Sequence, residues 1–196
     1  MIAESVRRSV LAGHHERFAA QSTSSHGILI IRERPFLTQV NLRTNPSEAD
    51  RMAAVQRELG FALPVEPNTV ASRDDRWGLW LGPDEWLIVA PPDQQQAVMA
   101  ALRSTLGGQD GSVVDVSANR TVIELSGSAA TALLAHGCAL DLHPRAFGPA
   151  RCAQTMLAKA QVIVQQTAAT PDFYLYVRAS YAGYLADWLL DASATD

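Results

Sequence analysis

The chain has 196 residues, 47% of them hydrophobic and 18% charged, which is enough apolar material for one large domain or two small lobes. Mean hydropathy is −0.01, and no apolar run approaches the roughly 20 residues of a bilayer-crossing helix, so no membrane contact is expected. The net charge of −4, a single lysine (Lys159) and arginines scattered along the chain leave no basic stripe, which argues against a nucleic-acid partner.

Residues 1–27 contain Arg7-Arg8 with no long apolar stretch behind the pair, a poor secretory signal. Glu4 and Glu16 argue against a transit peptide, and the segment reads as a flexible tail or docking arm. A first lobe is expected over 28–110. Residues 28–42 look like two strands broken near Pro35. Asn45 as N-cap, Pro46 at the first helical position and Glu48 in a capping box predict a helix. Met52, Val55 and Leu59 form its apolar stripe, and Gly60 stops it. Residues 64–75 read as a loop.

Trp77, Leu79 and Leu81 then alternate as in a strand, and Trp86-Leu-Ile-Val-Ala90 forms another. Between them, Asp84 and Glu85 are adjacent carboxylates beside a tryptophan, a tempting acid/base pair. Pro83 and Asp84 instead suit a type I turn, and neighbours in a strand point to opposite faces. Asp93 is placed to cap a second helix striped by Val98, Ala101, Leu102 and Leu106 and ended by Gly107-Gly108. That glycine pair follows a helix, so it is not a dinucleotide loop.

A second lobe is expected over 111–196. It reads as strands at 112–116 and 121–125, a helix near 128–136, and strands at 154–158, 161–166 and 172–177. A last helix is capped by Ser180, with Tyr184, Leu185, Trp188 and Leu189 inward. Cys138, Asp141 and His143 fall in one short segment, the groups of a cysteine nucleophile or a small metal site.

The two halves carry a repeat. Gly60-Phe-Ala-Leu-Pro-Val-Glu-Pro67 and Gly137-Cys-Ala-Leu-Asp-Leu-His-Pro144 both follow a helix and share Gly, Ala-Leu and Pro. Two copies of one α+β unit are the simplest explanation. The shared residues shape backbone, whereas Cys138, Asp141 and His143 face Phe61, Pro64 and Glu66 in the other copy. The segment therefore reads as a connector, with Cys138 filling a core slot as Phe61 does. His14-His15 lie in the tail, no G-x-S-x-G elbow, C-x-x-C or H-x-x-x-H occurs, and no residue is assigned a catalytic, cofactor-binding or metal-ligating role. Trp77, Trp80, Trp86 and Phe147 are left as candidates for either core or interface. Cys138 and Cys152 cannot form a disulfide framework, so a reducing cytoplasm is expected.

Arg34-Pro-Phe-Leu-Thr-Gln-Val-Asn-Leu-Arg43, Leu79-Trp-Leu-Gly-Pro-Asp-Glu-Trp-Leu-Ile88, Val114-Asp-Val-Ser-Ala-Asn-Arg120 and Gly137-Cys-Ala-Leu-Asp-Leu-His-Pro-Arg-Ala-Phe147 with Gln154-Thr155 together resemble the gamma subunit family of heterotetrameric sarcosine oxidases, over roughly residues 28–190. The resemblance implies a duplicated α+β fold with antiparallel or mixed sheets and packed helices, like the folate-binding part of aminomethyltransferases. It implies a non-catalytic subunit of a complex that demethylates sarcosine oxidatively to glycine, with tetrahydrofolate accepting the one-carbon unit. FAD, FMN, NAD and tetrahydrofolate are then expected in the alpha and beta subunits and zinc in the delta subunit, with none in this chain. The equivalent subunit of an N-methylglutamate dehydrogenase, or a stand-alone folate-binding one-carbon protein, are the alternatives.

Overall fold

A computed structural model describes residues 7–108, 111–168 and 171–194. In chain order the elements are α1 (His15–Ser24), β1 (Ile30–Arg34), β2 (Thr38–Thr44), α2 (Ala49–Leu59), β3 (Val70–Arg73), β4 (Arg76–Gly82), β5 (Glu85–Ala90), α3 (Gln95–Leu106), β6 (Gly111–Asp115), β7 (Arg120–Ser126), α4 (Ala130–Ala135), β8 (Cys152–Leu157), β9 (Ala160–Ala168), β10 (Asp172–Arg178) and α5 (Ala179–Ser193).

The strands form two antiparallel five-stranded sheets, ordered β6-β2-β5-β4-β3 and β1-β7-β10-β9-β8. Substituting β7 for β2, β8 for β3, β9 for β4, β10 for β5 and β1 for β6 turns one order into the other. The fold is thus the duplicated α+β unit expected from the repeat, with α2 equivalent to α4 and α3 to α5. Each unit lends its first strand to the other: β1 pairs with β7, Ile31 opposite Leu125, and β6 pairs with β2, Val113 opposite Leu42. The sheets therefore do not divide at residue 110, where the sequence placed the lobe boundary. Strand pairing is set by partners remote in the chain, so local pattern does not reveal the exchange.

The sheets pack face to face between two helical layers, and strict alternation builds this. In β5, Trp86 and Ile88 face α2 and α3, while Leu87 and Val89 face the other sheet. In β10, Phe173, Leu175 and Val177 face α1, α4 and α5, while Tyr174 and Tyr176 face inward. Burial on both faces explains why these strands read as near-continuous apolar runs.

Several expectations need correction. Residues 7–27 are not a loose tail: Leu11 is 0% and Phe18 1% exposed, both packed on the second sheet. (Residues 1–6 of that expected tail lie outside the described residues.) Helix α2 begins three residues after the expected start, because Asn45 Oδ1 accepts the Ser47 N–H in a turn of its own and Glu48 takes the N-cap position. Asp93 does not cap α3. It sits at φ +65° and pairs with Arg7, while Thr38 Oγ1 accepts the Gln94 N–H. Nor does Ser180 cap α5, which starts at Ala179 directly off β10, and Tyr184 is 39% exposed rather than inward. Strand β3 occupies part of the expected loop.

Candidate functional site

Cys138, Asp141 and His143 sit in different environments. Cys138 is buried in the helix-side core of the second sheet, where its backbone bridges to Leu157. Asp141 and His143 are exposed. Asp141 Oδ1 accepts the His143 N–H at 3.0 Å, and His143 Nδ1 accepts the Arg145 N–H at 3.2 Å. The carboxylate and the imidazole thus hold a turn together at the surface, while the thiol is buried. Among the described residues, no group of three or more His, Cys, Asp and Glu side chains is arranged to hold a metal ion.

The Asp84-Glu85 pair divides as the turn reading requires. Asp84 takes a bidentate contact from Arg43 at 3.0 Å, which raises the arginine's pKa, and Glu85 accepts from Asn41 Nδ2 at 2.7 Å. Each carboxylate is used by a neighbouring strand, so the two do not converge on one substrate atom.

The histidines of the expected tail anchor it. Glu33 on β1 keeps a carboxylate with 1% side-chain exposure. It accepts from Ser9 Oγ, from His15 Nε2 at 2.7 Å and from Thr121 Oγ1 at 2.5 Å. A buried carboxylate is tolerated only when its lone pairs are used in this way. Arg17 and His14 both contact Asp187 on α5, and Arg17 above all holds that carboxyl below its usual range. Sequence reasoning missed Glu33, because its three partners come from segments that only folding brings together.

Of the four aromatic interface candidates, Trp86 is fully buried, with its Nε1–H donating to Pro64 O at 2.7 Å, and Phe147 lies in the core. Trp77 is half-buried and meets Tyr174 edge-on at 6.0 Å, between the sheets. Trp80 is half-buried against the core beneath α2 and α3. Exposed apolar groups among the described residues are instead Val10, Ile28, Val65, Val114 and Met156, with Tyr181 and Tyr184 along α5. Two arginines, Arg120 and Arg178, also escaped the sequence reading, and β7–β10 pairing sets them side by side.

Comparison with known proteins places this architecture. The profile of the family described as "Sarcosine oxidase, gamma subunit family" matches residues 43–195. The sarcosine oxidase subunit gamma of an Arthrobacter species is 40% identical over 96% of this chain and 90% of its own length. That of Corynebacterium sp. strain P-1 is 41% identical over the same shares. A chain of heterotetrameric sarcosine oxidase from Corynebacterium sp. U-96, solved with pyrrole 2-carboxylate, superposes with a TM-score of 0.88 at 35% identity, covering 97% of this chain and 96% of that one. Glycine cleavage system aminomethyltransferase T from Bartonella henselae shares the fold, with a TM-score of 0.61 at 16% identity over 83% of this chain and 45% of its own.

Proposed function

The chain belongs to the sarcosine oxidase gamma subunit family, and from that premise we propose that it serves as the gamma subunit of a heterotetrameric sarcosine oxidase. The complex is an oxidoreductase that demethylates sarcosine to glycine, with tetrahydrofolate accepting the one-carbon unit. Its other members in this reading are alpha, beta and delta subunits. The first two carry FAD, FMN, NAD and the folate, and delta carries zinc. This chain supplies no catalytic, cofactor-binding or metal-ligating residue and acts in the cytoplasm through its surface. Among its described residues, no helix is long and apolar enough to cross a membrane.

The observation that carries this reading is likeness along the whole chain: 40% identity over 96% of it to a named gamma subunit. The interior supports a structural role. Leu79, Leu87, Val89, Val122, Ile163 and Tyr176 occupy the space between the sheets, so a pterin-sized ligand there would have to displace core side chains. That packing counts against the stand-alone folate-binding alternative.

The test is co-purification. A tagged copy of this chain, expressed with the large flavoprotein subunits of its own complex, should retain them in stoichiometric amount through size-exclusion chromatography. The tagged chain eluting alone, with the large subunits in a separate peak, would reject the assignment.

A further inference from the structure

At one end of the space between the sheets the side chains turn from apolar to charged. Arg120 opens β7 and Arg178 closes β10, and the antiparallel register sets them directly opposite each other. By alternation both lie on the face that carries Val122 and Tyr176, the face turned to the other sheet. Like charges in such a cross-strand pair repel. Among the described residues neither guanidinium makes an ion pair or a side-chain hydrogen bond that would offset the repulsion. Arg120 is half-buried. Burial and then Arg178 pull its pKa below the ordinary arginine value, and Glu85, held by Asn41, opposes this only in part.

The two arginines line a cleft of about 330 Å³ together with Gln154, Thr155, Met156 and Gln161. Gln154 Nε2 donates to Leu81 O at 2.9 Å, which fixes that wall. The Gln161 amide has no partner among the described residues. The duplication shows that the scaffold does not require this charge. Thr38–Ala90 in the first unit and Thr121–Val177 in the second are equivalent strand pairs. One step outward from each, Arg120 and Arg178 correspond to Leu37 and Pro91. Where the first unit has apolar residues, the second holds two unpartnered cations at a solvent-accessible mouth.

We propose that this cleft is an oxyanion site, in which the forks of Arg120 and Arg178 clasp one carboxylate or phosphate group and Gln161 donates a further hydrogen bond. Guanidinium forks match the paired oxygens of either group, and an anion there relieves the repulsion between them. The group comes either from a small metabolite or from an Asp or Glu side chain of a subunit docked over the mouth. The site is a property of this chain alone and does not rest on the subunit assignment.

The probe is inorganic phosphate, titrated calorimetrically into the full-length chain at low ionic strength, with chloride at matched ionic strength as control. Binding with about one phosphate per chain is expected. Arg120→Gln and Arg178→Gln should each weaken it about tenfold or more, the loss of one charged hydrogen-bond partner. In anion-free buffer Arg120→Gln should melt at or above the wild-type temperature, since a repulsion is removed. The same titration on the assembled complex identifies the source. Retained binding means a free anion, and binding lost on assembly means a partner carboxylate has filled the site. The proposal is overturned if phosphate binds no better than chloride, or if Arg120→Gln and Arg178→Gln bind it as the wild type does.

Discussion

Cys152 lies at the junction of the two sheets with no exposed surface, its Sγ 3.6 Å from the carbonyl oxygens of Thr69 and Trp80. Burial is the main cause that pushes its pKa up to about 12. An unfolded cysteine ionises near 8.5. Between those values the unfolded state has released a proton that the folded state keeps, so folding loses stability as pH rises. From this one group the loss is up to about 1.4 kcal/mol per pH unit. Urea unfolding at pH 8 and pH 10 should therefore show a larger drop for the wild type than for Cys152→Ala, and native Cys152 should resist alkylation. Equal drops would show that the thiol ionises freely in the fold. Cys138 is buried too, so Cys138→Ala should cost about 1 kcal/mol of stability through lost packing. Cys138→Ala and His143→Ala should leave complex turnover nearly intact, and a loss of several orders of magnitude with folding unchanged would restore the catalytic reading. The demotion of Cys138 was legible in the sequence, because the aligned copy carries Phe61 in the same slot. Glu33, Arg120 and Arg178 were not, because their meaning lies in neighbours far away in the chain.

Two glycines after equivalent helices show one position serving two physical needs. Gly60 ends α2 at φ +83°, a left-handed conformation that only glycine adopts without strain. Gly137 follows α4 without a positive φ, yet a Cβ there would lie 2.7 Å from the Trp188 ring and 3.1 Å from the Ala158 backbone nitrogen. Gly137→Ala must therefore displace the Trp188 ring, and it should destabilise the chain by about 1–3 kcal/mol, as overpacking does. Pairing it with Trp188→Ala should recover part of the clash energy, and strict additivity of the two changes would refute the contact. The N-terminal arm gives a sharper test. Phe18→Ala should cost about 3–5 kcal/mol if the arm is core, whereas a loose tail predicts no change in denaturant midpoint. The helices and strands with strong alternation were legible in the sequence, as were the duplication and the β4–β5 turn. Strand β3 was not, because Val70-Ala-Ser-Arg73 is a short edge strand and shows no large-residue alternation. The arm was not, because residues 7–27 hold only Val10, Leu11 and Phe18 as large apolar side chains, too few for a stripe, and only burial shows that Leu11 and Phe18 matter. The exchange of β1 and β6 was hidden for a different reason: pairing register is a property of two segments at once.

At the scale of the molecule, the exchange of strands locks the two units into one body, since neither sheet is complete without a strand from the other half. Helices cover the outer face of each sheet. The chain's whole-length likeness is to sarcosine oxidase gamma subunits, and in the function proposed above its work is assembly rather than chemistry. A non-catalytic subunit and a hidden catalyst differ in what deletion does. Losing a scaffold lowers the amount of assembled complex but leaves the turnover of each intact centre nearly unchanged, while losing a catalytic group removes turnover from complexes that still assemble. The most direct measurement is co-expression of the other subunits with and without this chain, followed by size-exclusion chromatography and sarcosine turnover per bound flavin. The account predicts less assembled complex without the chain, with near-normal turnover per flavin in the fraction that does assemble. Equal assembly with equal turnover, or full assembly with turnover abolished, would contradict it.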